Sequence, residues 1–188
     1  VTPSKNISPI IETNRLILRP YVLDDLDDYF TLLSNKENLY YLQDIVTETM
    51  GDARASLIDA IQLAQEDKAQ RFAITLKQNP NLIGGIGYDY IYDDEDKCTN
   101  YMGWFLMPEY HNQGIITESA RAVLDFAREQ DGITTMFTGC FAKNIPTQKV
   151  MEKLGFMLVD DTYYKMHDGE MKQRLKMVLP LTKSKKEQ

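Results

Sequence analysis

Apolar residues fall along this chain in two rhythms, and each predicts a kind of element. Short runs rich in β-branched and aromatic residues, bounded by Pro, Gly, Asn or Asp, stand at Leu16–Leu18, Arg71–Leu76, Leu82–Tyr92, Asn100–Met107, Thr134–Cys140, Phe156–Tyr164 and Arg174–Leu179. They read as about six to seven strands. In the second rhythm apolar residues return every three or four positions: Leu57, Ile58, Ile61 and Ala64 within Asp52–Asp67, and Ala120, Val123, Leu124 and Ala127 between Thr117 and Gln130. Both segments are predicted helices with one buried face. Asp24–Leu33 is a third helix, with Asp24, Asp25, Asp27 and Asp28 at its positive end. A fourth runs from an Asn144 N-cap through Lys153, with Pro146 in its first turn and Gly155 closing it. The order β-α-α-β-β-β-α-β-α-β-β predicts a mixed α/β (α+β) sheet flanked by about four helices, in a single domain spanning residues 1–188.

The connections are also legible. Asn79-Pro80-Asn81 reads as a turn, Asp93–Asp96 as a charged hairpin turn, and Asn35–Met50 as an irregular stretch rich in Tyr and Leu. Residues 1–10 and the closing SKKEQ have no periodicity. The glycines of Ile83-Gly84-Gly85-Ile86-Gly87 precede no helix and no Gly-Lys-Ser/Thr, so they mark a bulge or a close backbone approach rather than a phosphate loop.

One stretch carries chemistry. Gly103–Arg121, GWFLMPEYHNQGIITESAR, begins as a strand, breaks at Pro108, passes a polar turn and restarts as a helix near Thr117. The first turn of a helix leaves backbone N–H groups without partners, and the peptide dipoles add to them, so such a loop is suited to an anion. Gly114 lets the backbone approach that anion closely, and Thr117 adds a hydroxyl.

This stretch and Asn144–Phe156, NIPTQKVMEKLGF, together resemble the GNAT superfamily of acyl-CoA-dependent N-acyltransferases. The family's pyrophosphate loop has the form Arg/Gln-x-x-Gly-x-Gly/Ala, and His111–Ile116 occupies that place. The closer resemblance is to the RimJ/RimL-like branch, which opens with Thr-x-Arg-Leu-x-Leu-Arg, here Thr13–Arg19. Its loop is matched by Pro108–Ser119, and its Asn-x-x-Ser…Glu-Lys-Leu-Gly-Phe by Asn144–Phe156 with Thr147 for Ser. The resemblance covers Thr13 to Leu179. It implies the GNAT fold, whose sheet is mixed and mostly antiparallel, and transfer of an acetyl group from acetyl-CoA to a primary amine by direct attack on the thioester. The acceptor would be a protein N-terminus, an amino sugar or a small amine. A homodimer is common in the family.

By the same resemblance, the amides of Asn112, Gln113, Gly114, Ile115 and Ile116, with Thr117 and His111, would hold the pyrophosphate. The backbone of Phe105, Leu106 and Met107 would bind the pantetheine arm, the N–H near Leu106 serving the oxyanion, and Asn144 would bind the arm from the other side. Thr147 would serve the departing thiolate, because the Tyr many members place before Glu-Lys-Leu-Gly-Phe is here Met151. Related sequences often carry a Glu base where this chain has Tyr101, a poor base at its ordinary phenolic pKa, so Asp89 is the first candidate, ahead of Glu118 or a water. Asn35–Met50 and Asp93–Asp96 would choose the acceptor. A non-catalytic acyl-CoA-binding or regulatory protein is the rival reading, motivated by Ile116 for Gly/Ala, Met151 for Tyr and Tyr101 for Glu.

Composition narrows the field further. A net charge of −7 argues against a nucleic-acid partner and suits a cationic amine. No apolar run approaches the length of a membrane span and the N-terminus lacks a signal pattern, which points to the cytoplasm and no membrane partner. Cys98 and Cys140 have no ligand spacing, and His111 and His167 form no pair, so no metal is expected.

Overall fold

The computed structural model describes residues 8–35, 47–92, 98–165 and 169–181. Residues 1–7, Tyr40–Leu42 in the irregular stretch, the acidic turn Asp93–Asp96, His167 and the SKKEQ tail lie outside them. The strand-like runs form one sheet. Its members in chain order are β1 (Ile11–Glu12), β2 (Leu16–Arg19), β3 (Ala69–Leu76), β4 (Asn79–Tyr92), β5 (Cys98–Leu106), β6 (Thr135–Phe141), β7 (Met157–Lys165) and β8 (Met171–Pro180). They lie side by side as β1-β2-β3-β4-β5-β6-β8-β7. The two-residue β1, which has too few residues to show a period, is the strand the sequence pattern does not predict.

Four α-helices cover this sheet among the described residues: α1 (Leu26–Ser34), α2 (Met50–Gln65), α3 (Ile115–Glu129) and α4 (Ile145–Leu154). Strand alternation gives the sheet two apolar faces. On one, Leu16, Leu18, Phe72, Ile86, Tyr88, Met102 and Met136 meet Ala120, Val123, Leu124 and Ala127 of α3 and Met151 of α4. On the other, Ala73 and Leu82 meet Tyr29, Leu32 and Leu33 of α1 and Ala53, Leu57 and Ala60 of α2. Each large side chain so buried contributes about 1.5–3 kcal/mol, which is what holds helices of modest intrinsic propensity in place. The buried stripe of α2 thus centres on Ala53, Leu57 and Ala60, with Ile58 and Ile61 half-buried at its edge.

Several boundaries differ from the sequence pattern, each for a local reason. Thr49 accepts from the Asp52 amide and Asp52 bonds back to Thr49, a capping box that starts α2 at Met50. The β3–β4 hairpin turns at Lys77 and Gln78, and Asn79-Pro80-Asn81 belongs to β4, where the register shifts. Asp25 is not part of a solvated acidic face. It is 5% exposed and holds both terminal nitrogens of Arg19, at 2.9 and 2.6 Å, while Asp28 accepts from the Leu82 amide.

Strands β5 and β6 run parallel, and every other neighbouring pair is antiparallel. They pair only at Asn100↔Met136 and Tyr101↔Phe137, then part. Beyond that point the edge of β5 faces an opening.

Candidate functional site

The opening presents backbone. The Met107 amide donates to the Ile83 carbonyl at 2.9 Å, so residues 103 and 105 turn their N–H and C=O groups toward β4, while the Met107 carbonyl accepts from the Tyr110 amide at 3.0 Å. Alternation then turns Met102, Trp104 and Leu106 toward β6. There the Met102 carbonyl accepts from the buried Thr138 hydroxyl at 2.9 Å, and His111 Nε2 lies 2.9 Å from the Leu106 carbonyl. The Trp104 backbone and the Leu106 amide are left facing the gap. Of the three residues expected to line it with backbone, Leu106 does so, whereas Phe105 spends its groups on β4 and Met107 divides its own between β4 and the turn at Tyr110. Trp104, which period-two alternation would have indicated, takes their place.

At the end of β5 a 3-10 turn, Pro108–Tyr110, leads into α3. Asn112 and Gly114 both have positive φ, 59° and 75°. Such left-handed residues next to a helix start curl successive amides around a common point. Gly114 is itself the N-cap, so α3 begins at Ile115 rather than near Thr117. None of the amides from Asn112 to Thr117 donates to another described residue. This run of unpartnered donors at the positive end of a 15-residue helix has the charge and the hydrogen-bonding groups that suit an anion.

The side chains of the loop do other work. Gln113 Nε2 donates to the Glu109 carbonyl at 2.8 Å, and the His111 ring is committed to Leu106, so both brace the loop. Ile115 and Ile116 are buried in the core and do not crowd the anion face. The Ile at position 116, where the family has Gly or Ala, is absorbed by packing.

A clamp fixes this loop to the far end of the chain. Glu118 accepts from the Thr13 hydroxyl at 2.6 Å, the Arg15 amide at 3.0 Å and Arg15 Nε at 2.7 Å, and Arg15 Nη1 reaches the Gln113 carbonyl at 3.1 Å. Burial alone would raise the Glu118 carboxyl, but these donors hold it below the usual glutamate value. A carboxylate so engaged is a structural anchor and not a base. Arg15, Arg121 and Lys153 line a cleft of about 600 Å³ beside the loop, together with Gly114, Glu118 and Asp125. Glu118→Gln keeps an acceptor but loses the ion pair to a half-exposed arginine, so the fold should lose no more than ~1 kcal/mol. A severalfold weaker acetyl-CoA affinity, read by titration calorimetry, is the expected outcome; unchanged affinity would separate the clamp from the loop.

Asn144 caps α4 as expected, its Oδ1 accepting from the Thr147 amide at 3.2 Å, and it is buried. The Thr147 hydroxyl is half-buried at that helix start and has no hydrogen-bond partner among the described residues. Met151 is fully buried and supplies no hydroxyl.

The opposite face of β5 holds Tyr101, Gly103 and Phe105. Phe105 leans over Gly85, where an added Cβ would meet its ring and the Tyr21 hydroxyl. Tyr101 leans the other way, over Gly139, and receives a hydrogen bond from Arg174 Nη2 at 3.4 Å. Between them a Cβ on Gly103 would meet nothing within 4 Å, so the middle of the strand is the floor of a depression. Burial pushes the Tyr101 phenol up, with Arg174 opposing, so it stays protonated. Asp89, opposite Tyr101 in register, is ion-paired to Arg71 through Oδ1, and its Oδ2 has no partner among the described residues. Arg71, Trp104, Thr138 and Arg174 are residues that motif reading passes over, because their roles depend on which strands become neighbours. Among the described residues no three His, Cys, Asp or Glu side chains gather as a metal site, and no helix is long and apolar enough to cross a membrane.

Comparison with known proteins agrees with this geometry. The uncharacterized N-acetyltransferase YnaD of Bacillus subtilis (strain 168) is 30% identical over 145 residues, covering 77% of this chain and 81% of that one. The acetyltransferase (GNAT family) from Bacillus anthracis has the same fold, with a TM-score of 0.77 at 24% identity over 92% of this chain and 99% of that one. So does RimL, a ribosomal L7/L12 α-N-protein acetyltransferase solved with coenzyme A, with a TM-score of 0.76 at 19% identity over 92% and 98% of the two chains. The parted parallel strands and the loop of free amides lie within residues 15–157, which match the acetyltransferase (GNAT) domain; the chain therefore belongs to the GNAT family and is an acyltransferase enzyme.

Proposed function

We propose that this protein transfers an acetyl group from acetyl-CoA to a primary amine in the cytoplasm. The observation that carries the reading is the unbroken run of unpartnered amides from Asn112 to Thr117, set at the mouth of an opening whose edge offers the Trp104 and Leu106 amides. A coenzyme A pyrophosphate matches the first in charge, and an extended pantetheine arm matches the second as an added strand. Each charge-assisted hydrogen bond of this kind adds about 1.5–3 kcal/mol. Asn144 would hold the arm from the α4 side, where its Nδ2 has no partner among the described residues.

Acetyl-CoA supplies the thioester carbonyl, and the chain's own groups handle the charges that develop. The amine nitrogen forms its bond to the carbonyl carbon as the carbon–sulfur bond breaks, and one proton leaves the nitrogen. The Leu106 amide stabilises the carbonyl oxygen, and the Thr147 hydroxyl faces the sulfur as it becomes a thiolate. Tyr101 acts as a neutral donor beside the depression. Asp89, through the oxygen not held by Arg71, is the carboxylate we assign to the amine proton.

The test is a comparison of acetyl-CoA, CoA and ATP in thermal unfolding, followed by thiol release with a panel of amines. Acetyl-CoA at about a hundred times its dissociation constant should add ~2.7 kcal/mol. A shift with ATP and none with either coenzyme A species would overturn the assignment, and a shift without turnover of any amine would favour the non-catalytic rival.

A further inference from the structure

Every second residue of β8 from Lys172 to Lys176 is a cation on the depression's face of the sheet, and each lies over an aromatic ring. Lys172 Nζ is 6.0 Å from the Phe141 centroid and Lys176 Nζ is 5.0 Å from that of Phe137. Arg174 is 5.9 Å from the Tyr101 centroid and 6.0 Å from that of Tyr164. The two lysines have a carboxylate at hand, Lys172 paired with Glu170 at 3.5 Å and Lys176 opposite Asp160 in register, and Arg174 lies between them.

Two arginines that flank the depression, Arg71 and Arg174, differ in one respect. Arg71 is neutralised by Asp89. Arg174 has no carboxylate within ion-pair distance among the described residues, and its cross-strand neighbours, Phe141 and Thr162, carry no charge. It is half-buried, with its plane held by two rings and one nitrogen on the Tyr101 hydroxyl. Gly139 makes this meeting possible, since an added Cβ there would stand 2.4 Å from the Tyr101 oxygen and 3.7 Å from Arg174 Nε. A guanidinium stripped of part of its water and left without a counter-charge, at the rim of an open depression, is a site for a planar or tetrahedral oxyanion.

We propose that the acceptor is an amine that also carries an oxyanion, carboxylate or phosphate, and that Arg174 is the residue that reads it. This rests on the acetyl-transfer reading of the site. It revises the expectation, drawn from net charge alone, of a simply cationic acceptor, because Arg174 sets a positive charge beside the depression that no described carboxylate pairs with.

The experiment uses the full chain, acetyl-CoA and two matched acceptor pairs: an ω-amino acid with its amide, and an aminoalkyl phosphate with its parent amino alcohol. In wild type the charged member of one pair should have the higher kcat/KM by about ten- to hundredfold, the range of one charge-assisted hydrogen-bond pair, and which pair responds identifies the oxyanion. Arg174→Gln should shrink that ratio by about tenfold, the loss falling on KM for the charged member, and Arg174→Lys, which keeps charge but not the fork, should restore part of it. Neutral members used as well as charged ones in wild type, or an Arg174→Gln loss equal for both members, would overturn the proposal. Acetyl-CoA stabilisation of each variant, measured alongside, shows that the fold and donor site survive. Retained stabilisation with no thiol release from any amine would instead refute the acetyl-transfer reading, and this inference with it.

Discussion

Gly114→Glu is expected to abolish stabilisation by acetyl-CoA while leaving a folded protein. The reasoning starts from the backbone. Gly114 sits at φ 75°, where a Cβ costs about 1–2 kcal/mol, yet the space around it is open, with only Arg15 Nη2 at 3.7 Å. The strain is therefore local and survivable. The new carboxylate would lie against the very amides that have no partner from Asn112 to Thr117, occupying them and repelling a pyrophosphate. Wild type at about a hundred times the dissociation constant should gain ~2.7 kcal/mol from acetyl-CoA, and the variant close to nothing. Gly114→Ala separates strain from charge: it should bind more weakly than wild type but still respond. A Gly114→Glu protein that keeps the full acetyl-CoA shift would show that the loop is an ordinary turn.

Asp131→Ala should be the most destabilising single change outside the apolar core. One carboxylate oxygen of Asp131 accepts from both the Tyr88 and Tyr90 hydroxyls, each at 2.5 Å. Tyr88 is fully buried on the face that meets α3, and its hydroxyl depends on Asp131 for an acceptor. Leaving a buried donor unsatisfied costs about 1–3 kcal/mol, and of the two hydroxyls only that of Tyr88 is fully buried, so a loss of ~1–3 kcal/mol is expected in denaturant unfolding. Asp131→Asn, which retains a carbonyl, should lose less. The same pair predicts an alkaline limit. Burial first, and the bonds to Asp131 second, push both phenols well above their ordinary value. The folded state then binds protons that the unfolded chain releases from about pH 10, so stability is full below that pH and falls as pH rises beyond it. Tyr88→Phe should flatten this fall; an unchanged slope would show that the phenols do not titrate with unfolding.

Elements whose signal is local were legible in the sequence. The Asn144 N-cap, Gly155 at the end of α4 and the apolar stripe Ala120–Ala127 depend on neighbours within a few positions. The loop at Gly114 was legible as a turn that leads into a helix for the same reason. Its helix start was misplaced by two residues, since a hydroxyl at Thr117 is a stronger written signal than a glycine whose conformation makes it the cap. What depends on strand pairing was not legible. The direction of the Phe105, Leu106 and Met107 amides is set by which residue of β5 first bonds to β4, and a shift of one exchanges all of them. Asp89 reads as a free carboxylate until β3 places Arg71 beside it. Arg174 meets Tyr101 only because β8 is inserted next to β6, with β7 outside it.

The Glu118 clamp also says something about how this enzyme comes into being. Its hydrogen bond from Thr13 spans 105 residues of chain. Closing so long a loop is entropically slow, and contacts of this separation form after the local ones. On the ribosome, the Thr13–Arg15 segment emerges before its partner and must wait until Glu118, 103 positions beyond Arg15, has been made. The loop at Gly114 thus acquires its shape only after this long-range closure, and a chain truncated before α3 would carry β1 to β5 with Thr13 and Arg15 lacking their partner.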